Sequence, residues 1–362
     1  MRRPARAVAL GAAAQALVAS GCACKPKSAF SEISGALPAK PSGSHSTTTL
    51  ATLPSPLTGE DVAPAIARRP VVIIKVDNSP QARPQAGLNA ADVIYEERVE
   101  GSVVRFLTLF QSGDANLVGP VRSVRSTDAA VLAPLGGIFA FSGGIKPFID
   151  KVEAAGVKTI TEGDSASSPV FELAGKTRPY ATYADTRKLR PLAGSTTPPP
   201  LFARLPEGTS FADGNGGASA VTALRVVFGS LTTADWTWDP GKRVWLRSTN
   251  NTPHVLQDGS RLSTRCLIQQ TVTYRSTPYT DRSGTGVDEA VVTGSGNALV
   301  LCEGQVVQAR WNKASPAAVT TYTDASTGAP IKLPVGRVWV SLVPTNGVIT
   351  VTRASGATTT TR

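Results

Sequence analysis

Arg122, Ser123 and Arg125 stand just before a short helix that Ser126 can cap, with Asp128 in its first turn. A helix start presents unpaired N–H groups and partial positive charge, and guanidinium adds bidentate geometry. This grouping suits a carboxylate or a phosphate. Two further polar groups follow apolar runs that read as buried strands: Asp77-Asn78 after 71–76, and Ser142-Gly143-Gly144 after 138–141. In open α/β sheets such strand ends line the ligand crevice. Paired glycines let backbone approach a ligand closely. The expected anion crevice therefore joins Asp77, Asn78, Arg83, Arg122, Ser123, Arg125, Ser142, Gly143 and Gly144. A purely structural arrangement competes with it: Asp77 with Glu96 or Glu100 would neutralise these arginines and pin the loops.

The acids suggest a second chemistry. Asp77, Glu96 and Asp128 are the candidates for acid–base work in a hydrolase or transferase acting on wall polymers. Paired carboxylates such as Glu96, Glu97 and Glu100 supply could flank a glycosidic bond. Strand alternation places Glu96 and Arg98 on one face and Glu97 on the other, and cross-strand ion pairing is the competing reading. The chain has two His. That excludes a His-rich metal centre and leaves few partners for a Ser-His-Asp triad. No metal site and no cofactor are expected. Ser142-Gly143-Gly144 lacks the longer Gly-x-x-x-x-Gly-Lys pattern of a phosphate loop. His254, beside Pro253, reads as a loop or surface residue. Trp236, Trp238 and Trp245 could form a platform for sugar rings, but packing in a β core is the favoured reading.

The elements that must position these residues fall into two halves. With 362 residues and 41% apolar content, the chain can build about two domains with real cores. Residues 70–190 mix strands and helices: strands over 71–76, 93–99, 102–111 and 138–141, and amphipathic helix over 147–155. A Pro-rich stretch, 191–219, including Pro198-Pro199-Pro200, reads as an interdomain linker. Residues 220–353 are mostly strands, with a hairpin turn at Asp239-Pro240-Gly241-Lys242. The Thr-rich 354–362 reads as a frayed tail. Cys266 and Cys302 each end a strand in the β half, which suggests a cross-strand disulfide, with two buried thiols as the alternative.

The first residues address the chain to a membrane. Arg2, Arg3 and Arg6 precede an apolar run over 7–19, then Ser20-Gly21-Cys22. The run spans about 20 Å as a helix, too short to cross a bilayer, and matches a secretory leader. The tripeptide before the cysteine resembles a bacterial lipobox, with Ala19 where Leu is usual. It implies cleavage after residue 21 and diacylglycerol on Cys22. Residues 22–69, rich in Ser, Thr and Pro, read as a flexible tether of about 35–40 Å reach, with Cys24 left over. The leader's three Arg account for only part of the formal +11 charge. The remaining surplus favours acidic surfaces, and export argues against nucleic acid.

Val76-Asp77-Asn78, Ala82 to Leu88, Ala91 to Glu96, Val99-Glu100-Gly101, Arg105-Phe106-Leu107 and Gly119 to Arg125 follow one another in a characteristic order. Together with Gly304-Gln305-Val306, Trp311-Asn312-Lys313 and Pro330 to Trp339, this pattern resembles the YerB-like lipoprotein family of Gram-positive bacteria. The resemblance implies an α+β or α/β N-terminal domain with a mixed sheet and a mostly-β C-terminal domain. It implies no established reaction. Family members carry Pro-His-Asn-Leu-Tyr near the end of the first domain, where this chain has Arg178-Pro179-Tyr180-Ala181-Thr182-Tyr183. The expectation is a lipid-anchored binding or scaffold protein of the cell envelope, on the extracytoplasmic face of the cell membrane. Its partners would be membrane lipid through the acylated Cys22, and an anionic wall polymer or an envelope protein.

Overall fold

The computed structural model describes residues 51–163, 168–281 and 284–361. The leader, Cys22, Cys24 and the tether up to residue 50 lie outside them. Order begins earlier than residue 70. Leu53–Pro54 pairs with Asp61–Val62, Leu57 is fully buried, and Arg69 holds Asp114 at 3.0 Å.

The strands are β1 (Val72–Asp77), β2 (Val93–Arg98), β3 (Val104–Phe110), β4 (Ile138–Ala140), β5 (Lys158–Ile160), β6 (Ser219–Val227), β7 (Thr233–Asp239), β8 (Val244–Thr249) and β9 (Cys266–Val272). They continue with β10 (Tyr274–Thr280), β11 (Gly286–Ala290), β12 (Gly294–Cys302), β13 (Gln305–Lys313), β14 (Thr321–Asp324), β15 (Val338–Pro344), β16 (Val348–Arg353) and β17 (Thr358–Thr361). Two helices matter here, α1 (Ser126–Leu132) and α2 (Lys146–Ala154).

The main sheet runs β14-β13-β12-β9-β15-β2-β3-β1-β4-β5. Its join is β15, parallel to β9 on one side and to β2 on the other, with Val338 opposite Val93. Every residue of β15 is buried, as a central strand covered on both faces requires. The two halves therefore have the expected classes, a mixed sheet with helices and then mostly strands, but they share one sheet. A second sheet, β17-β16-β6-β7-β8, covers part of one face. The first residues of β6 pair with β13 and the rest with β16, so one strand serves both sheets.

Alternation sorts side chains between the two faces. Along β1, Ile73 faces the core that includes Val131, Phe139 and Phe148, on the side of α1 and α2. Val72, Ile74 and Val76 face the intersheet core with Trp236, Trp245 and Trp339. Trp236 and Trp245 are fully buried, as the packing reading expects, while Trp238 is half-buried against the same core; the Trp236 and Trp339 centroids lie 5.0 Å apart.

Three other expectations change. The linker over 191–219 is packed in place, because Leu201, Phe202, Leu205 and Phe211 are buried against the sheet. The tail over 354–362 supplies β17, an exposed edge strand of β-branched Thr. Ser126 is the first helical residue of α1, not its cap. The Asp128 carboxylate instead accepts from the Arg125 backbone N–H at 2.7 Å. Cys266 and Cys302 face each other across β9 and β12, Cα atoms 4.5 Å apart, in a disulfide.

Candidate functional site

The segment 122–125 runs beside Ser142-Gly143: the Ser142 N–H donates to the Arg122 carbonyl at 3.1 Å and Val124 N–H to the Gly143 carbonyl at 3.0 Å. This pairing brings Arg122, Ser123, Arg125, Ser142, Gly143 and Gly144 to one cleft of about 460 Å³. Gly143 has φ +116° with open space where a Cβ would sit. A Cβ on Gly144 would lie 2.3 Å from Val124 Cγ1, so here the glycine answers packing.

Four arginines line the cleft, Arg105, Arg122, Arg125 and Arg178, against the acids Glu100, Glu162 and Asp281. Arg122 Nε donates to Asp77 Oδ2 at 3.0 Å, and its guanidinium lies 5.5 Å from the Tyr180 ring centroid. Arg125 Nε approaches Glu100 Oε1 to 2.5 Å without hydrogen-bond alignment. Burial, then the neighbouring Arg125, lowers Arg105 to about 10. It remains a cation at neutral pH, with its Nε unpaired. Arg178 reaches Glu172 at 2.5 Å and Glu162 at 3.0 Å.

The remaining expected site residues are elsewhere. Asp77 stands behind the cleft as the partner of Arg122 and Ser79. Asn78 is buried and accepts from Gln85 Nε2 at 3.0 Å. Arg83 does not border the cleft. The N-terminus of α1 is occupied by its own Asp128 rather than open to an anion.

Glu96 is sealed between the sheets. Arg247 grips it with both guanidinium NH groups, at 3.1 and 2.6 Å, while Trp339 Nε1 donates at 2.9 Å and Ser341 at 3.2 Å. Arg247 itself lies 5.5, 5.1 and 4.8 Å from the Phe106, Trp236 and Trp339 ring centroids. Both side chains of the pair have no exposure. The chain of contacts continues from Arg247 Nε to Thr249 Oγ1, from Thr249 to His254 Nδ1, and from His254 Nε2 to Gln85 Oε1. Gln85 spends its NH₂ on Asp77 O and Asn78 Oδ1. Its Oε1 must therefore accept, which places the imidazole proton on Nε2. His254 is thus a buried core residue, not the surface residue expected. Burial, reinforced by Arg247, holds its pKa well below the ordinary value.

Glu97 points to the opposite face, as alternation requires. Lys75 Nζ contacts Glu97 Oε1 and donates to Asp128 Oδ1 at 2.7 Å, all three side chains buried. Asp77, Glu96 and Asp128 therefore do not converge as an acid–base pair. Glu96 and Asp128 serve different faces of the sheet.

Arg105, Arg178 and Glu162 were not among the expected site residues. Arg178 was signalled by position, since 178–183 is where the family motif is replaced. That segment supplies Arg178, Pro179 and Thr182 to the cleft wall and Tyr180 to Arg122. Among the described residues no helix is long and apolar enough to cross a membrane.

A family model described as the N-terminal domain of a protein of unknown function, DUF3048, matches residues 57–198, and its C-terminal companion matches 224–340. A curated relative, "Putative lipoprotein YerB" of Bacillus subtilis (strain 168), is 25% identical over 315 residues, 84% of this chain and 90% of that protein. A crystal structure of the YerB protein from Bacillus subtilis matches with a TM-score of 0.68 at 21% identity, covering 82% of this chain and 99% of the other. At that identity the structural likeness speaks for the fold.

Proposed function

The chain belongs to the DUF3048 family of proteins of unknown function, and from that premise we propose a lipid-anchored binding protein on the outer face of the cytoplasmic membrane. Its cleft takes an anionic ligand, an acidic wall polymer in the first instance. The observation that supports this reading is the convergence of Arg105, Arg122, Arg125 and Arg178 on one solvent-open cleft. Arg122 is held by Asp77, Arg125 by Glu100 and Arg178 by Glu162 and Glu172, so the support is the fixed placement of several guanidinium donors around one opening, not a net charge, and such donors suit carboxylate or phosphate. The anchor rests on the Ser20-Gly21-Cys22 pattern and on the lipoprotein designation of the relative. One acylated cysteine carrying two or more chains holds a protein stably on a membrane.

The test is co-sedimentation of the purified full chain with isolated cell-wall sacculi at low and high salt, with released sugar assayed in the supernatant. Binding that weakens with salt and is lost in Arg122→Ala/Arg178→Ala, with no sugar released, is the expected result. Equal sedimentation by the double variant, or none by the wild type, overturns the cleft as a wall-polymer site. Release of fragments by the wild type would instead establish a hydrolase.

A further inference from the structure

Strand β13 alternates inward and outward, and its inward residues Val307, Ala309 and Trp311 belong to the core on the helix side. The next inward position is Lys313, with 2% exposure. A core ammonium calls for a carboxylate partner. Among the described residues Lys313 forms no salt bridge, and its Nζ donates to the Ala318 carbonyl. Burial with no compensating anion lowers the amine to about 8, so it is still mostly charged at neutral pH.

This cation borders a small space that adjoins an apolar chamber. A chamber of about 340 Å³ is lined by Leu201, Phe202, Ile268, Val300 and Ile331, with exposed Pro200, Thr321 and Pro330 also on its wall. Leu201, Val319 and Thr320 also border a constriction of about 20 Å³, whose other walls include Tyr95, Gln270 and Lys313. The chamber is of the size of the smaller ligand sites. The small space holds about one water-sized group, room for one carboxylate oxygen to reach Lys313 and tight for a phosphate.

We propose that this pocket binds a linear medium-chain carboxylate, with its alkyl chain in the chamber beside Leu201 and Ile331 and its head group paired with Lys313. The apolar walls supply area burial. The ion pair forms where the dielectric is low and completes the hydrogen bonding of an ammonium that has one protein acceptor. The site is separate from the arginine cleft and shares no residue with it.

Calorimetric titration of the purified full chain with decanoate and with decan-1-ol, both below micellar concentration, tests this. Decanoate is expected to bind about tenfold or more tightly than the alcohol, the difference one charge-assisted contact makes. Lys313→Met should erase that preference. Val319→Trp, at a residue bordering both spaces, should weaken both ligands and keeps the test valid if Lys313→Met fails to fold. Arg122→Ala/Arg178→Ala should leave decanoate binding unchanged, so failure here is distinguishable from failure of the cleft. No binding of decanoate at millimolar concentration, equal affinity for acid and alcohol, or a preference that survives Lys313→Met would each overturn the proposal.

Discussion

Glu97→Gln should change how stability depends on pH, and the sign follows from the Lys75–Glu97–Asp128 cluster. One ammonium faces two carboxylates in a space without solvent, and Glu97 Oε2 has no hydrogen-bond partner. Burial, opposed by Lys75 and reinforced by Asp128, pushes Glu97 up to about 7. Its ordinary value is 4.5. Between these two values the folded state binds a proton that the unfolded chain has released. The stability this protonation contributes is complete below the unfolded value and is lost as pH rises through about 7. At 1.36 kcal/mol per unit, the loss is about 3 kcal/mol. Gln cannot ionise, so the variant should gain on the wild type by roughly that amount between about pH 4.5 and 7.5. Urea unfolding followed by tryptophan fluorescence at pH 5, 6, 7 and 8 reads this as a difference between the two proteins. Taking the difference cancels the opposing slope of His254, whose depressed pKa costs stability as pH falls below the ordinary imidazole value. A difference that stays flat from pH 5 to 8, or that turns against the glutamine variant at high pH, would refute the reasoning. Lys75→Met supplies the counterpart: stripping the cation from two buried carboxylates should cost about 3–5 kcal/mol at pH 8 and less at pH 5.

Arg247→Met should be severely destabilising, by about 3–5 kcal/mol in the same unfolding assay, because it leaves Glu96 charged between two sheets. The double variant Arg247→Met/Glu96→Gln should recover part of that loss, and a double-mutant cycle with no coupling would contradict the contact. Replacing Cys266 and Cys302 together by Ala opens a loop of sequence separation 36 and should lower stability by about 3–4 kcal/mol in the loop-entropy model. An unchanged denaturant midpoint would contradict that estimate.

Much of the local structure was legible because period-2 alternation and apolar runs are written in adjacent residues. Strands over 71–76, 93–99 and 138–141 appear within a residue or two of their expected bounds. The strand-end cysteines pair, and the tryptophans pack in the core. Six of the nine expected crevice residues share one cleft: 142–144 follow a strand end, as the crevice rule expects, while their pairing with 122–125, beyond an intervening helix and strand, is a tertiary contact. The 191–219 stretch was misread because its prolines signal a loop, while the few apolar residues between them decide whether that loop packs.

Alternation along β2 determined that Glu96 and Glu97 face opposite ways. It could not say what covers each face. Glu96 meets Arg247, from a strand about 150 positions away, and Glu97 meets Lys75 and Asp128. The pairing of β15 with β2 likewise joins segments with no local signal between them. The sequence by itself determined most of the strands and the face each of their residues takes. Only the tertiary structure decided which charges are sealed as pairs, which arginines line an open cleft, and that Lys313 is buried without an anion among the described residues. Periodicity specifies direction relative to a sheet, whereas partnership and burial depend on chain segments that meet only after folding.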